Sequence, residues 1–284
     1  TGRAGLIPPL RALEAGVPVA LATKEVMVMA GELVMAHARR HKTPILAVDS
    51  EPSAIWQCLR GESRKVSRII VTASGGAFRD RPIEELDGVT PEEALKHPTW
   101  RMGKKITVDS ASLMNKAFEV IEVHWLFNAP WEKIEVVIHP QSVVHSMVEF
   151  ADGVVKAQLG PPDMRVPIQY ALFYPRRVPN PALPKLDTAI HSELTFRPLN
   201  EARYPCFTLA LETAKRGGTY PAVLSAADEV AVEAFLARRI RFTDIPRLVE
   251  RVVASHHDPG AATVERILEA DAWARARAIE LVGR

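Results

Sequence analysis

Two short apolar runs, VPVALAT (17–23) and PILAV (44–48), flank a stretch of helical periodicity, and this spacing constrains the fold most. Strand, helix, strand within ~30 residues reads as a parallel crossover unit, because parallel strands need a long connection, and such units place ligand sites at strand C-termini. The intervening helix starts at Lys24-Glu25, places Val28, Leu33, Val34 and Met35 on apolar positions around Gly31, and ends in ARRHKT, whose charge suits the helix dipole. A third run, RIIVTA (68–73), leads straight into Ser74-Gly75-Gly76. The predicted class is α/β.

The rest of the chain follows from its breaks. AGLIPPLRALEAG reads as a short helix closed by Gly16. Residues 78–105 show little apolar periodicity, as a lid or binding loop does, and Thr90-Pro91-Glu92-Glu93 caps a short helix inside it. ITVDSASLMNKAFEVIEVHWLF predicts a helix capped by Asp109 or Ser110, with Met114, Phe118, Ile121 and Trp125 on its apolar face. IEVVIHP, SVVHSMVEF and VVKAQLG read as sheet strands, with Asp152-Gly153 as a hairpin turn. Residues 174–198 are proline-rich and aperiodic, like a linker, and from Asn200 an all-α bundle is expected, broken at GGTYP, RFTDIP and HHDPG.

Composition removes several function classes. Charged residues are 25% and the net charge is +2, so no basic surplus points to nucleic acid. No apolar run approaches the ~20 residues that span a bilayer. The N-terminal stretch has no signal-peptide core, and the two cysteines, Cys58 and Cys206, form neither a zinc motif nor a disulfide framework, so a reducing cytoplasm is expected.

Several clusters carry chemistry, each with a plainer alternative. Asp49 and Glu51 flank Ser50 after a buried strand and can converge on a hard cation, or Asp49 or Ser50 can simply cap a helix beginning at Pro52, with Glu51 exposed. Lys116 and Glu119 share a helix face near Asn115, Ser110 and Ser112, which suits a phosphorylated sugar and its metal; the alternative is an exposed ion pair worth a few tenths of a kcal/mol. Ser74-Gly75-Gly76 is either a phosphate nest or an ordinary turn. His97, Trp100 and Met102 sit in the lid, where an imidazole can meet a phosphate and an indole can exclude water, or one tryptophan can anchor a loop. His139 and His145 fall in strand patterns, as core or edge residues do.

Taken together, ALATKE, AVDSEPSAIWQ, TASGGAFRD, HPTWRMGKKITVDSASLMNKAFEVIEVHWLF, IHPQSVVHSMVEF, AQLGPPDMRVPIQYAL and AADEVAVEAFLARRIRFTDI occur in order. They resemble the 1-deoxy-D-xylulose 5-phosphate reductoisomerase family from about Gly5 to near the C-terminus. The resemblance implies an enzyme of isoprenoid precursor synthesis that uses NADPH and Mg²⁺ or Mn²⁺. On this sequence the family pattern makes Asp49, Glu51 and Glu119 the metal carboxylates. It gives Lys24, Ser50, Ser74, His97, Ser110, Asn115 and Lys116 to the substrate, with Trp100 and Met102 in a flap over it at about 76–105. Thr23, Glu25 and Gly103 fall on the cofactor side, and Lys116, Glu51 and Glu119 carry the catalysis.

The implied reaction has two stages. Retro-aldol cleavage and recombination give an aldehyde, and NADPH reduces it to 2-C-methyl-D-erythritol 4-phosphate. The implied organisation is the end of a parallel dinucleotide-binding domain (1–48), a catalytic domain (49–173), a linker (174–199) and a C-terminal helical domain (200–284), in a homodimer. No Gly-rich dinucleotide turn occurs in these residues, so this stretch alone is expected to be inactive. Thr23 stands where the family usually has Asn, Pro52 where His is common, Trp56 where Phe is common and Asp228 where Asn is common. Two other readings compete: a metal-dependent sugar-phosphate isomerase or aldolase that uses no nucleotide, and a non-catalytic binding fragment. The sequence upstream of Thr1 discriminates all three.

Overall fold

The three apolar runs become strands whose C-terminal ends deliver polar residues to one place. In the computed structural model, which describes residues 2–62, 65–187, 189, 192–257 and 260–283, β1 (Val19–Leu21) and β2 (Ile45–Ala47) pair in parallel. They are preceded by α1 (Ile7–Glu14) and joined by α2 (Lys24–Arg40). Pro8 and Pro9 occupy the first turn of α1, where missing N–H groups cost nothing, and Gly16 at φ +71° ends it. After β2 comes α3 (Ser50–Cys58), with Asp49 at its N-cap.

A second, five-stranded sheet follows. Its strands are β3 (Val66–Ala73), β4 (Ile134–Ile138), β5 (Val144–Phe150), β6 (Val155–Leu159) and β7 (Arg197–Pro198), in the order β6-β5-β3-β4-β7. β3 and β4 are parallel; β5 runs antiparallel to β3, and Asp152-Gly153 turns β5 into β6 as expected. Between β3 and β4 lie α4 (Pro91–Ala94), with the expected capping box at Thr90, then α5 (Lys104–Ser112) and α6 (Met114–Phe127).

The helix expected to start at Asp109 or Ser110 is therefore two helices, and both residues lie inside α5 rather than at a cap. The break is Leu113, which is 2% exposed and adopts φ +56°, ψ 16°, left-handed without being a glycine. α2 crosses α6 closely because Gly31 has no side chain: a Cβ there would lie 2.1 Å from the Trp125 ring.

α7 (Arg165–Phe173) precedes the proline-rich stretch, and α8 (Pro205–Arg216), α9 (Tyr220–Leu236), α10 (Asp244–Ala254) and α11 (Val264–Val282) form the C-terminal bundle. Thr188, Ile190 and His191 of the expected linker, and Asp258-Pro259 of the HHDPG break, lie outside the described residues. The bundle does not own a separate core. One apolar cluster runs from Ile69 and Val71 of β3 through Phe118 and Ile121 of α6 to Leu224 and Phe235 of α9. A smaller one joins α1, β1 and α2 to Ala222 and Ile267.

Residues 78–94 are packed rather than loose. Phe78, Leu86, Val89 and Ala94 are buried, and the bundle holds this stretch through Arg238–Glu92 and Arg241–Asp87 at 2.7 Å. Only residues 95–103, which contain no helix or strand, lie as a strap beside the site.

Candidate active site

Asp49 accepts the Ser50 backbone N–H at 3.1 Å and so caps α3, while its other oxygen turns inward. The capping and cation readings of the DSE triplet are therefore compatible. Glu51 follows in the first turn of α3 and Glu119 projects from the second turn of α6. One oxygen from each of Asp49, Glu51 and Glu119 lies within 4.8 Å of the others.

Lys24, first residue of α2, pairs with Asp49 and, at 3.1 Å, with Glu119. Lys116 pairs with Glu51 at 2.8 Å and with Glu119 one turn along the helix. The Lys116–Glu119 contact is no surface pair: the two side chains are 6% and 2% exposed. Asn115 donates to Glu119 at 2.6 Å and the Ser50 hydroxyl donates to Glu51 at 2.6 Å.

The charges are set by mutual compensation. Burial opposes both ammonium groups, but Asp49 and Glu119 hold Lys24 well above its usual range, and Glu119 and Glu51 raise Lys116. Burial also works against the Glu51 carboxylate, yet Lys116 and Lys24 bring it down to about 2. Glu119, deeper and repelled by Glu51, goes up to about 7. Asp49, Glu51 and Glu119 carry one negative charge more than Lys24 and Lys116 when ionised, while burial, with Asp49 nearby, holds the adjacent Glu122 carboxyl well above its usual range. All-oxygen carboxylate donors suit Mg²⁺ or Mn²⁺, and the convergence of one oxygen from each of the three supports the fit.

Elsewhere in the cavity lining, His97 organises a second set of polar groups. Its Nδ1 accepts the backbone N–H groups of Trp100 at 2.9 Å and Thr99 at 3.2 Å, so the ring proton resides on Nε2. Nε2 lies 3.0 Å from both the Ser74 and Ser110 hydroxyls. Burial, then the charges of Arg79 and Lys116, push the imidazole down to about 4, so it is neutral at pH 7.

The Ser74-Gly75-Gly76 turn is not an open nest. Gly76 N–H donates back to the Ser74 hydroxyl at 3.1 Å, and Gly75 carbonyl accepts from Tyr204. What the turn presents is the Ser74 side chain. Gly76 is required by space as well as by its φ of +71°, since a Cβ would sit 2.3 Å from the Ser110 carbonyl oxygen.

The cavity, about 300 Å³, brings together Lys24, Asp49, Ser50, Glu51, Ser74, His97, Trp100, Met102, Ser110, Asn115, Lys116 and Glu119. Every substrate and metal position expected from the sequence lines it. The cofactor positions do not: Thr23 precedes α2, Glu25 is half-buried, and Gly103 is exposed at the α5 N-cap. The sequence reading missed Ser142 and His145, just before and at the start of β5, and Met164 at the N-cap of α7, all of which line the cavity. His145 is buried as expected and bonded to the Gly160 carbonyl, but its ring also faces Trp100 with centroids 6.0 Å apart. The available signal was topological: β5 runs antiparallel to β3, so its first residues lie beside the strand end that carries Ser74. His139 is a core residue, with Nδ1 on the Thr195 carbonyl.

Comparison with known proteins agrees with this geometry. A family profile described as 1-deoxy-D-xylulose 5-phosphate reductoisomerase C-terminal domain matches residues 45–127. A second profile, DXP reductoisomerase C-terminal domain, matches residues 159–277. The 1-deoxy-D-xylulose 5-phosphate reductoisomerase of Heliobacterium modesticaldum is 56% identical over 283 residues, covering 100% of this chain and 72% of its own length. That of Geobacillus kaustophilus is 56% identical over 276 residues, covering 97% and 72%. Among solved structures, the Zymomonas mobilis reductoisomerase in complex with NADPH superposes with a TM-score of 0.92 at 45% identity, covering 99% of this chain and 73% of that one. A DOX-P reductoisomerase in complex with NADPH, fosmidomycin and magnesium gives 0.92 at 40% identity, covering 99% and 74%. The chain belongs to the 1-deoxy-D-xylulose 5-phosphate reductoisomerase family.

Proposed function

We propose that these residues form the metal- and substrate-binding part of an enzyme that converts 1-deoxy-D-xylulose 5-phosphate to 2-C-methyl-D-erythritol 4-phosphate with NADPH. The observation that carries the reading is the convergence of Asp49, Glu51 and Glu119 with two buried lysines on one cavity. When bound, a divalent cation held by the three carboxylates supplies Lewis-acid polarisation of the substrate oxygens, and NADPH supplies hydride.

The chain's own residues do the rest. Lys116 places a permanent positive charge where negative charge develops on the rearranging oxygens. Ser74, Ser110 and the neutral His97 offer hydroxyl and N–H donors to the phosphate. Asn115 and Ser50 orient Glu119 and Glu51 through the hydrogen bonds described above. Residues 95–103 form the closing flap, and Trp100 and Met102 exclude water from the bound sugar. Thr23, Glu25 and Gly103 belong to the cofactor side.

The partner is a second copy of the chain. β6 is a sheet edge with Val155 and Leu159 exposed, and α7 exposes Leu172 at 68%, an apolar surface suited to pairing. Sedimentation of Leu172→Asp reads that assignment. Both cysteines are free and buried, which suits a cytoplasmic location, and no helix among the described residues is long and apolar enough to cross a membrane.

Calorimetry with Mn²⁺ tests the central claim. Asp49→Asn and Glu119→Gln should each weaken binding by at least ~10-fold, because the remaining ligands do not replace the lost charge. Unchanged affinity in both would refute a shared site.

A further inference from the structure

Away from the cavity the chain buries a second set of charges. Lys105, in the first turn of α5, has a partly exposed stem, but its ammonium is sealed between Asp109 of the same helix at 2.5 Å and Asp228 of α9 at 2.6 Å. The same ammonium stands over the Phe118 ring, 5.1 Å from its centroid. Asp109 and Asp228 are 2% and 0% exposed, and none of the three residues lines the active-site cavity. The charge of Glu25 on α2 reaches both carboxylates, so helices from three parts of the chain meet here.

Such a trio is a poor source of stability. Desolvation cancels most of the attraction, and apolar side chains would join the helices as well. What an ammonium fixed at two carboxylates adds is registry: it sets the rotation and height of α5 against α9. That setting matters at the cavity. Ser110 is the residue after Asp109, and α5 continues directly from the strap that carries His97 and Trp100. Gly76 packs against the Ser110 carbonyl with no room to spare, so a shift of α5 also reaches the loop of Ser74.

We propose that Lys105, Asp109 and Asp228 form a positioning latch that fixes α5 and the strap, and thereby sets affinity for the phosphorylated end of the substrate without touching it. The carboxylates of the cation site stand on α3, with Asp49 at its N-cap, and on α6, and none of them pairs with Lys105. The proposal rests on the reading that Ser74, His97 and Ser110 receive the phosphate.

The test measures two affinities in the full-length enzyme, for Mn²⁺ alone and for a phosphonate substrate mimic at saturating Mn²⁺. Asp228→Ala and Lys105→Met should raise the phosphonate Kd about 3- to 30-fold, the range of coupling through packed elements. The Mn²⁺ Kd should stay within about twofold, below the range such coupling produces. Asp228→Asn should restore near-normal phosphonate binding, because its amide oxygen still accepts from Lys105 while Asp109 carries the charge. Wild-type phosphonate affinity in both disruptive variants would overturn the latch. So would a parallel loss of Mn²⁺ and phosphonate binding, which marks a general structural role. Lys105→Met keeps the test alive if Asp228→Ala does not fold, since the Lys105 stem already meets solvent. Ser110→Ala with unchanged phosphonate affinity would overturn the phosphate assignment beneath the proposal, a result separable from failure of the latch variants.

Discussion

The active-site cluster and the Lys105 cluster use the same ingredients to different ends. Each has one carboxylate more than it has lysines: Asp49, Glu51 and Glu119 against Lys24 and Lys116, and Asp109 and Asp228 against Lys105. The first opens on a cavity and can answer its excess with a divalent cation. The second is closed, so it must answer with a proton: burial, with Asp228 alongside, holds the Asp109 carboxyl well above the usual range. Access to space, not residue type, separates a site that binds from one that joins.

The largest effect that would sharpen this contrast is at Lys116. In the full-length enzyme, Lys116→Met should lower turnover by roughly 100-fold or more, the usual consequence of removing a preorganised charge from developing negative charge. Mn²⁺ affinity should hold or rise, because Glu51 and Glu119 lose a competing cation. Turnover and Mn²⁺ affinity falling together would place Lys116 among the structural ions and erase the contrast.

A middle-sized effect is expected in the closed cluster. The folded chain keeps a proton on the Asp109–Asp228 pair that the unfolded chain releases above ~4. This stabilisation is full below that point and is lost as pH rises through the raised folded-state value. Asp109→Asn should therefore flatten the decline in stability as pH rises above ~4, read as a shallower pH dependence in urea unfolding. An identical pH slope in wild type and variant would mean that the closed cluster is fully ionised.

The smallest effect links the active-site lysine to the strap. Since Lys116 contributes to lowering the His97 imidazole, Lys116→Met should raise the His97 titration, followed by NMR, by a few tenths of a pH unit. In wild type the Trp100 fluorescence response to a phosphonate should persist to about pH 5 and fade toward pH 4, where His97 protonates and its Nδ1 no longer accepts from Trp100. Here the depressed imidazole value gives stability that is present above ~6.5 and falls as pH drops through about 4. A His97 titration at the ordinary imidazole value would break this link.

What was legible in the sequence was what the backbone places together locally. Asp49, Ser50 and Glu51 are contiguous at a strand end, and Asn115, Lys116 and Glu119 share one helix face, so spacing alone grouped each set. The break at Leu113 was illegible because neither glycine nor proline marks it, and Asp109 therefore read as a cap instead of a buried partner of Lys105. Ser142 and His145 reach the cavity through sheet pairing, and Asp228 reaches Lys105 through helix docking. Neither contact leaves a periodic trace in the chain.

Leu113 also decides how the helix of Ser110 and the helix of Glu119 face each other. Its backbone favours a residue without a Cβ, while its side chain, 2% exposed, fills the core between the helices. A glycine would ease the first demand and forfeit the second. The angle between the hydroxyl-bearing helix and the carboxylate-bearing helix is thus held by volume against torsion. A substitution that merely resizes the interior at this point would re-aim Ser110 relative to Glu119 while leaving every polar group intact.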